Sequence, residues 1–349
     1  MDETGRIASD RRRMRRWLYL CSGLIALMVV VGGYTRLSRA GLSIVEWDVV
    51  MGVLPPRGEA AWQEAHDLYL ASPEGSKVNA DMSVAEYQRI FYIEWFHRLL
   101  ARLVGLVVAL PLLAFLLRGT IPRGRRAAFV CIGLLFAFQG FLGWFMVASG
   151  LVDRPSVSHY RLTLHLLAAL GLLALCLWQA LGLRDDAGSG TGVTAPAQAR
   201  RLGLALLSLI LLQITWGGFV AGLKAGQVSN TWPLMFGTWI PIGSMGRVVP
   251  LWRDLVDNVV TVHFTHRWLA LLVLALAGWT WWRLRSVAGV PPDARRAAGL
   301  LLALVLLQVA LGVTTVLLGV PLWVALAHQA TAVLLFATAV VLNQRLRQT

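Results

Sequence analysis

Four histidines, His97, His165, His266 and His328, recur at matching depths in alternate apolar segments of a 349-residue chain. Neutral imidazole is the commonest protein ligand for a metal, and axial histidines hold haem iron. Two histidines from facing helices would clamp one flat porphyrin, so four imply two such groups. Zinc is a poorer choice, because no Cys, Asp or Glu cluster completes a tetrahedral set. Small residues stand one or two helical turns from each histidine, on the same helix face: Ala101 and Gly105, Ala168 and Ala169, Ala270, and Ala325 and Ala332. They leave room beside the ligand. One isolated buried histidine more often serves an interhelical hydrogen bond, but four at one depth favour ligation.

The elements that carry them are membrane spans. Hydrophobic residues make up 57% of the chain, charged residues only 14%, and mean hydropathy is +0.64. Apolar runs long enough to cross a bilayer occupy 17–35, 90–117, 127–148, 159–183, 202–222, 258–282, 297–318 and 322–343. The four histidines lie six to nine residues from one end of spans two, four, six and eight, about 10–13 Å into the membrane at roughly 1.5 Å per residue. Ionisable groups at such depth are costly and rarely face lipid. The net charge of +14 is a topological signal: 19 of the 32 Lys and Arg residues fall in the N-terminal arm, alternate connections and the C-terminus. Both termini are therefore expected in the cytoplasm, and nucleic acid is excluded as a partner. No run precedes a signal-peptidase pattern, so the first span is expected to be retained, and the basic arm is short for a transit peptide.

The chain repeats itself. Residues 32–47 align without a gap on 217–232 at an offset of 185, matching Gly32, Gly33, Ala40, Gly41 and Trp47 to their counterparts. At an offset of 169, His97-Arg98 falls on His266-Arg267, and Gln139, Gly143 and Gly150 fall on Gln308, Gly312 and Gly319; at 163, His165 falls on His328. The shrinking offset reflects longer outward loops in the first half. Each half has four spans, so both share one orientation. The expected fold is an all-α membrane protein of eight transmembrane helices, arranged as two parallel-repeat four-helix bundles. Its expected parts are a basic arm (1–16), an N-terminal half (17–183), a linker (184–201) rich in Gly, Ser and Thr, a C-terminal half (202–343) and a tail (344–349). The first outward loop, 36–89, carries aromatic residues and a capping box at Ser83 and Glu86, and reads as a functional cover.

The halves differ at one position. The first reads Glu94-Trp-Phe-His97-Arg98, the second His263-Phe-Thr-His266-Arg267. A carboxylate three residues before a ligand projects onto nearly the same face. In a low dielectric it could be protonated, shuttle protons or stabilise positive charge; the plainer alternative is an acid paired with Arg98. Arg98, Arg102, Arg161 and Arg267 lie within spans near the histidines. The guanidinium geometry suits haem propionates, although pairing with loop acids or snorkelling is an equal expectation for any one of them. His66 is expected to be solvated, His159 interfacial, and His263 close to the cavity of His266. Cys21, Cys131 and Cys176 are expected to be buried apolar residues.

The motifs VGGYTRLSRAGLSIVEW, GVLPP and FYIEWFHRLLARLVGL resemble the haem A synthase family of the α-proteobacterial and mitochondrial type, and the resemblance runs from span one to span eight. It implies an enzyme that oxidises the C8 methyl of haem O to the formyl group of haem A for cytochrome c oxidase. It further implies haem b held by His266 and His328, haem O as substrate at His97 and His165, and Glu94 as a catalytic residue. Partners implied are haem O and haem A, membrane lipid, haem O synthase and cytochrome c oxidase assembly factors, with a homo-oligomer left open. The location implied is the bacterial cytoplasmic (inner) membrane. Many bacterial members carry a cysteine pair in the first outward loop; this chain has none, so a thiol relay there is ruled out. Two other readings of the residues stay open: a di-haem cytochrome b-type quinol or electron-transfer protein, and a haem transporter or chaperone.

Overall fold

The computed structural model describes residues 3–46, 53–184 and 195–347; Trp47 and most of the linker lie outside them. The described residues form α1 (Glu3–Leu37), α2 (Glu59–Leu70), α3 (Pro73–Val78), α4 (Val84–Leu117), α5 (Arg126–Ala148), α6 (His159–Arg184), α7 (Ala197–Gly222), α8 (Leu251–Asp257), α9 (Val259–Ser286), α10 (Pro292–Leu317) and α11 (Leu322–Arg347), with no β-strand among them. Eight of these helices are long and apolar enough to span a membrane: α1, α4, α5, α6, α7, α9, α10 and α11.

Their bounds follow the apolar runs within a few residues, and each departure has a local cause. The basic arm is helical: α1 runs through it from Glu3, because its Arg and Met residues favour helix, Met14 is buried, and Trp17 donates its indole N–H to Val107 O on α4 at 3.1 Å. The tail likewise extends α11, with Gln344, Arg345 and Leu346 buried. α4 begins above the apolar run at the expected capping box: Ser83 Oγ accepts from Glu86 N, while Glu86 accepts from Ser83 N at 2.9 Å.

α1, α4, α5 and α6 contact one another in a closed ring, and α7, α9, α10 and α11 form a second. The rings meet where α6 packs on α7 and α11, and α1 on α11. Gln329 on α11 donates to Val29 O on α1 at 2.6 Å, and Arg36 at the end of α1 donates to Ala221 O on α7 at 3.1 Å. Gly218 and Gly222 admit Thr163 and His159 from α6, where any added Cβ would collide.

Both rings are covered on the same side, away from the termini. Over the first lie α2 and α3, sealed by Tyr69 stacked on Tyr87 (centroids 5.2 Å apart) and Trp62 edge-on to Phe91 (5.0 Å). His66 is part of this seal and is not solvated: it is 5% exposed, and its Nε2 lies 2.9 Å from Met82 O. Its site on the inner face of α2 brings it against Tyr87. Over the second ring the loop is tied by Asp254, which accepts from Gly246 N (2.9 Å), Val248 N (3.0 Å), Asn258 Nδ2 (2.8 Å) and Thr261 Oγ1 (2.6 Å). Burial alone would raise the Asp254 carboxyl, but these four donors hold it well below the usual carboxylate range.

Glu74 on α3 behaves oppositely. It is buried, with Oε2 lacking a hydrogen-bond partner. Burial pushes its carboxyl from 4.5 to about 7; Lys224 opposes the rise, Glu94 adds to it, and Arg39 opposes it. A folded value above the unfolded one means that the native cover binds the extra proton, so its stability falls as pH climbs from about 4.5 to about 7. Amide protection factors across residues 74–78, corrected for the intrinsic pH dependence of exchange, should therefore fall over that window, and Glu74→Gln should remove the fall. An unchanged slope in the variant would assign the effect to another group.

Candidate haem sites

α4, α6, α9 and α11 each carry one of the four repeat-matched histidines on the covered side. His165, His266 and His328 lie six or seven residues into their helices. His97 lies deeper along α4 only because that helix starts above the apolar run to carry the cover. His97 on α4 and His165 on α6 stand on opposite helices of the first ring, and His266 on α9 and His328 on α11 on opposite helices of the second. The pairs thus form within each half.

Every ring stands against a glycine of a neighbouring helix. A Cβ built on Gly32 would lie 3.3 Å from His97 Nε2, and one on Gly217 3.1 Å from His266 Cε1. The corresponding distances are 3.4 Å from Gly143 to His165 and 3.0 Å from Gly312 to His328. These four glycines are two repeat-related pairs, so the same close approach is built twice. The rings are only half-buried, and Nδ1 of His165, His266 and His328 lacks a hydrogen-bond partner. An imidazole with an unpartnered nitrogen and accessible ring surface, set upright by a facing glycine, fits an axial haem ligand. Substituting Gly312 by Val should tilt His328 and reduce retained haem, read from the Soret absorbance per protein. Full haem content in Gly312→Val would remove the glycine from the ligand geometry.

Glutamines orient three of the rings. Gln139 and Gln213 donate to His165 O and His266 O, each at 3.0 Å, with their amides 3.5 Å from the respective Nε2; Gln308 lies 3.2 Å from His328 Nε2. Gln139 and Gln308 are a repeat pair, and that constancy is the signal that marks them. Gln213 has no such signal, because its counterpart at the 185 offset is Met28. The small residues on the histidine helices are less uniform than expected: Ala101 is exposed and Gly105 faces open space.

The arginines do more than the sequence suggests. Arg98 donates Nε (3.0 Å) and NH2 (2.7 Å) to Glu94 Oε1, NH2 to Ile44 O (2.9 Å) and NH1 to Glu46 O (3.2 Å). Arg267 donates Nε to His263 Nε2 (3.1 Å), NH2 to Ser229 O (3.0 Å) and NH1 to Thr231 O (2.8 Å). Ser229 and Thr231 are the repeat counterparts of Ile44 and Glu46, so one arginine clamps the same two loop carbonyls in each half. Arg39 and Lys224, also counterparts, share a left-handed backbone with φ of 53° and 54°. Arg161 lies over the Phe145 ring, 3.7 Å from its centroid, and donates to Phe145 O at 2.7 Å.

Within this shared frame Glu94 and His263 exchange a carboxyl group for an imidazole. Glu94 is 2% exposed; Oε1 faces Arg98, and Oε2 accepts from Ser43 Oγ (2.8 Å) and Ile44 N (2.9 Å). Donors on both oxygens hold the carboxyl group in one orientation. His159 pairs with Asp257 at 3.3 Å at the junction of the halves. Cys21 and Cys176 are buried, whereas Cys131 is exposed on the outer face of α5. The open apolar groove of about 590 Å³ beside Leu274, Gly278 and Trp279 lies toward the far end of α9 and shares no residue with these sites.

The sequence profile of the cytochrome oxidase assembly protein family matches residues 15–340. The chain is 43% identical over 335 residues to a protein named heme A synthase from Nitrosospira multiformis, covering 95% of this chain and 93% of the relative. It is 44% identical over 338 residues to one of the same name from Beijerinckia indica, covering 97% and 94%. A third, from Bradyrhizobium, is 44% identical over 345 residues, covering 97% and 92%. With near-complete coverage on both sides and eight membrane-spanning helices, the chain belongs to the cytochrome oxidase assembly protein family.

Proposed function

We propose that the chain is a haem A synthase, which oxidises the C8 methyl of haem O to the formyl group of haem A. The observation that carries the reading is the doubled frame with one chemical difference: two histidine pairs, two arginine clamps, and Glu94 where the other half has His263. Haem b, held by His266 and His328, would supply one-electron redox chemistry to the site. His97 and His165 hold haem O as substrate. The two halves, 17–183 and 202–343, are read as parallel repeats, which the matched hydrogen bonds of Arg98 and Arg267 support.

The chain's own residues set the stage for the reaction. The fixed charge of Glu94, buried three residues from His97, favours positive charge developing at the substrate ring. Arg98 pairs with that carboxyl group and holds residues 44–46 over the site. Arg161, one helical turn from His165, is the candidate for a substrate propionate. Arg98 and Arg267 act through the covers they clamp. Tyr87, Phe91 and Trp62 exclude water from above. The covered side faces outward and both termini face the cytoplasm, in keeping with the basic connections; in a bacterium this is the inner membrane, where haem O synthase and oxidase assembly factors are the expected partners.

The test is acid extraction and chromatography of haems from the purified chain, expressed with a confirmed supply of haem O. Haem A beside haem b is expected. Haem b alone would overturn the reading in favour of an electron carrier, and loosely held mixed haem would favour a transporter.

A further inference from the structure

The two covers present different surfaces. The first, on α2 and α3, turns Glu59, Gln63, Glu64, Asp67 and Lys77 outward, with Leu68 and Val78 single apolar side chains among them. The second, between α7 and α9, exposes Trp239, Ile240, Ile242, Val249, Leu251 and Trp252, with Ile242 at 74% and Val249 at 83%. Soluble surfaces rarely gather so many large apolar side chains in one short segment. These side chains are held on a pinned backbone. Asp254 ties Gly246 and Val248, Asn258 donates to Ser244 O at 3.0 Å, and Met235 and Thr238 exchange backbone hydrogen bonds.

We propose that residues 236–255 are seated in the headgroup region of the bilayer leaflet on the covered side, so that the second cover is bound to lipid while the first stands in water. Position favours lipid over a protein occupant: α8 ends at Asp257 and the spanning helix α9 begins at Val259, so α8 lies at the membrane surface. The surface is continuous with the lipid-facing side of the spans, since α9 goes on to expose Trp268 and Leu272. Composition agrees as well. Tryptophans concentrate at membrane interfaces, and Arg247 and Arg253, both exposed among the apolar side chains, match phosphate headgroups.

The test uses the full chain with Cys21, Cys131 and Cys176 replaced by Ala, in nanodiscs of phosphatidylcholine and phosphatidylglycerol at one protein per disc. Nitroxides are placed through Ile242→Cys, Trp252→Cys and, as the aqueous reference, Gln63→Cys. Ile242 is so exposed that its variant carries the result should Trp252→Cys misfold. Power saturation should show oxygen collisions exceeding those of a water-soluble nickel chelate at 242 and 252, and the reverse at 63. Chelate access at 242 equal to that at 63 would overturn the proposal by placing the loop in water. Low access to both reagents, in preparations containing more than one protein per disc and showing dipolar broadening, would overturn it in favour of a second copy.

Discussion

Glu94→Ala is expected to lower haem A formation by about a hundredfold or more, the usual cost of removing one preorganised electrostatic group. The same change strands Arg98, whose side chain is 10% exposed and 2.7 Å from the carboxylate. An uncompensated charge of this kind typically costs about 3–5 kcal/mol when buried, and less here because the loop edge admits some water. Ser43 Oγ and Ile44 N lose their acceptor as well, so residues 43–46 should loosen. Glu94→Gln separates the two effects. It keeps the volume and an acceptor for Ser43 but removes the charge. Haem A output should therefore stay low in Glu94→Gln while thermal stability recovers part of the loss. Near-normal output in that variant would reduce Glu94 to an anchor for the cover.

The second large effect is expected at Arg267. Arg267→Met removes the donor to Ser229 O, Thr231 O and His263 Nε2 at once. Ser229 is buried, so its carbonyl stays unsatisfied at about 1–3 kcal/mol, and loss of the whole clamp should approach about 3 kcal/mol. The thermal midpoint in detergent should drop, and the haem b proposed beneath that cover should be lost more readily on dilution. Arg267→Lys should rescue little, because a single ammonium cannot reproduce the planar fork that reaches two carbonyls and an imidazole. A Lys variant as stable as the parent would mean that one contact, and not the fork, holds the loop.

Much of this was legible in the residues, and the reasons differ by feature. Spans, the Ser83–Glu86 cap and the positions of the four histidines follow from periodicity and local chemistry, which a linear chain displays openly. The glycines against the rings were visible as repeat matches but not as ring contacts, since nothing in the sequence says which helix packs on which. The clamp of Arg98 and Arg267 was hidden for a different reason: its acceptors are backbone carbonyls, which every residue carries. Side-chain type alone suggested propionates. His66 was misjudged because a loop position implies solvent only when nothing folds over it, and here Tyr87 and Met82 do. Cys131 was misjudged because an apolar span has an outer face as well as a core.

The division of labour between the halves is tested most directly by the haem content of single histidine variants. Haem b and haem A are extracted from His97→Ala, His165→Ala, His266→Ala and His328→Ala, each expressed with haem O supplied and checked for intact helicity. The first two should keep haem b and lose haem A; the last two should lose haem b and, with it, haem A. Loss of haem b from the first pair together with its retention in the second would contradict the assignment.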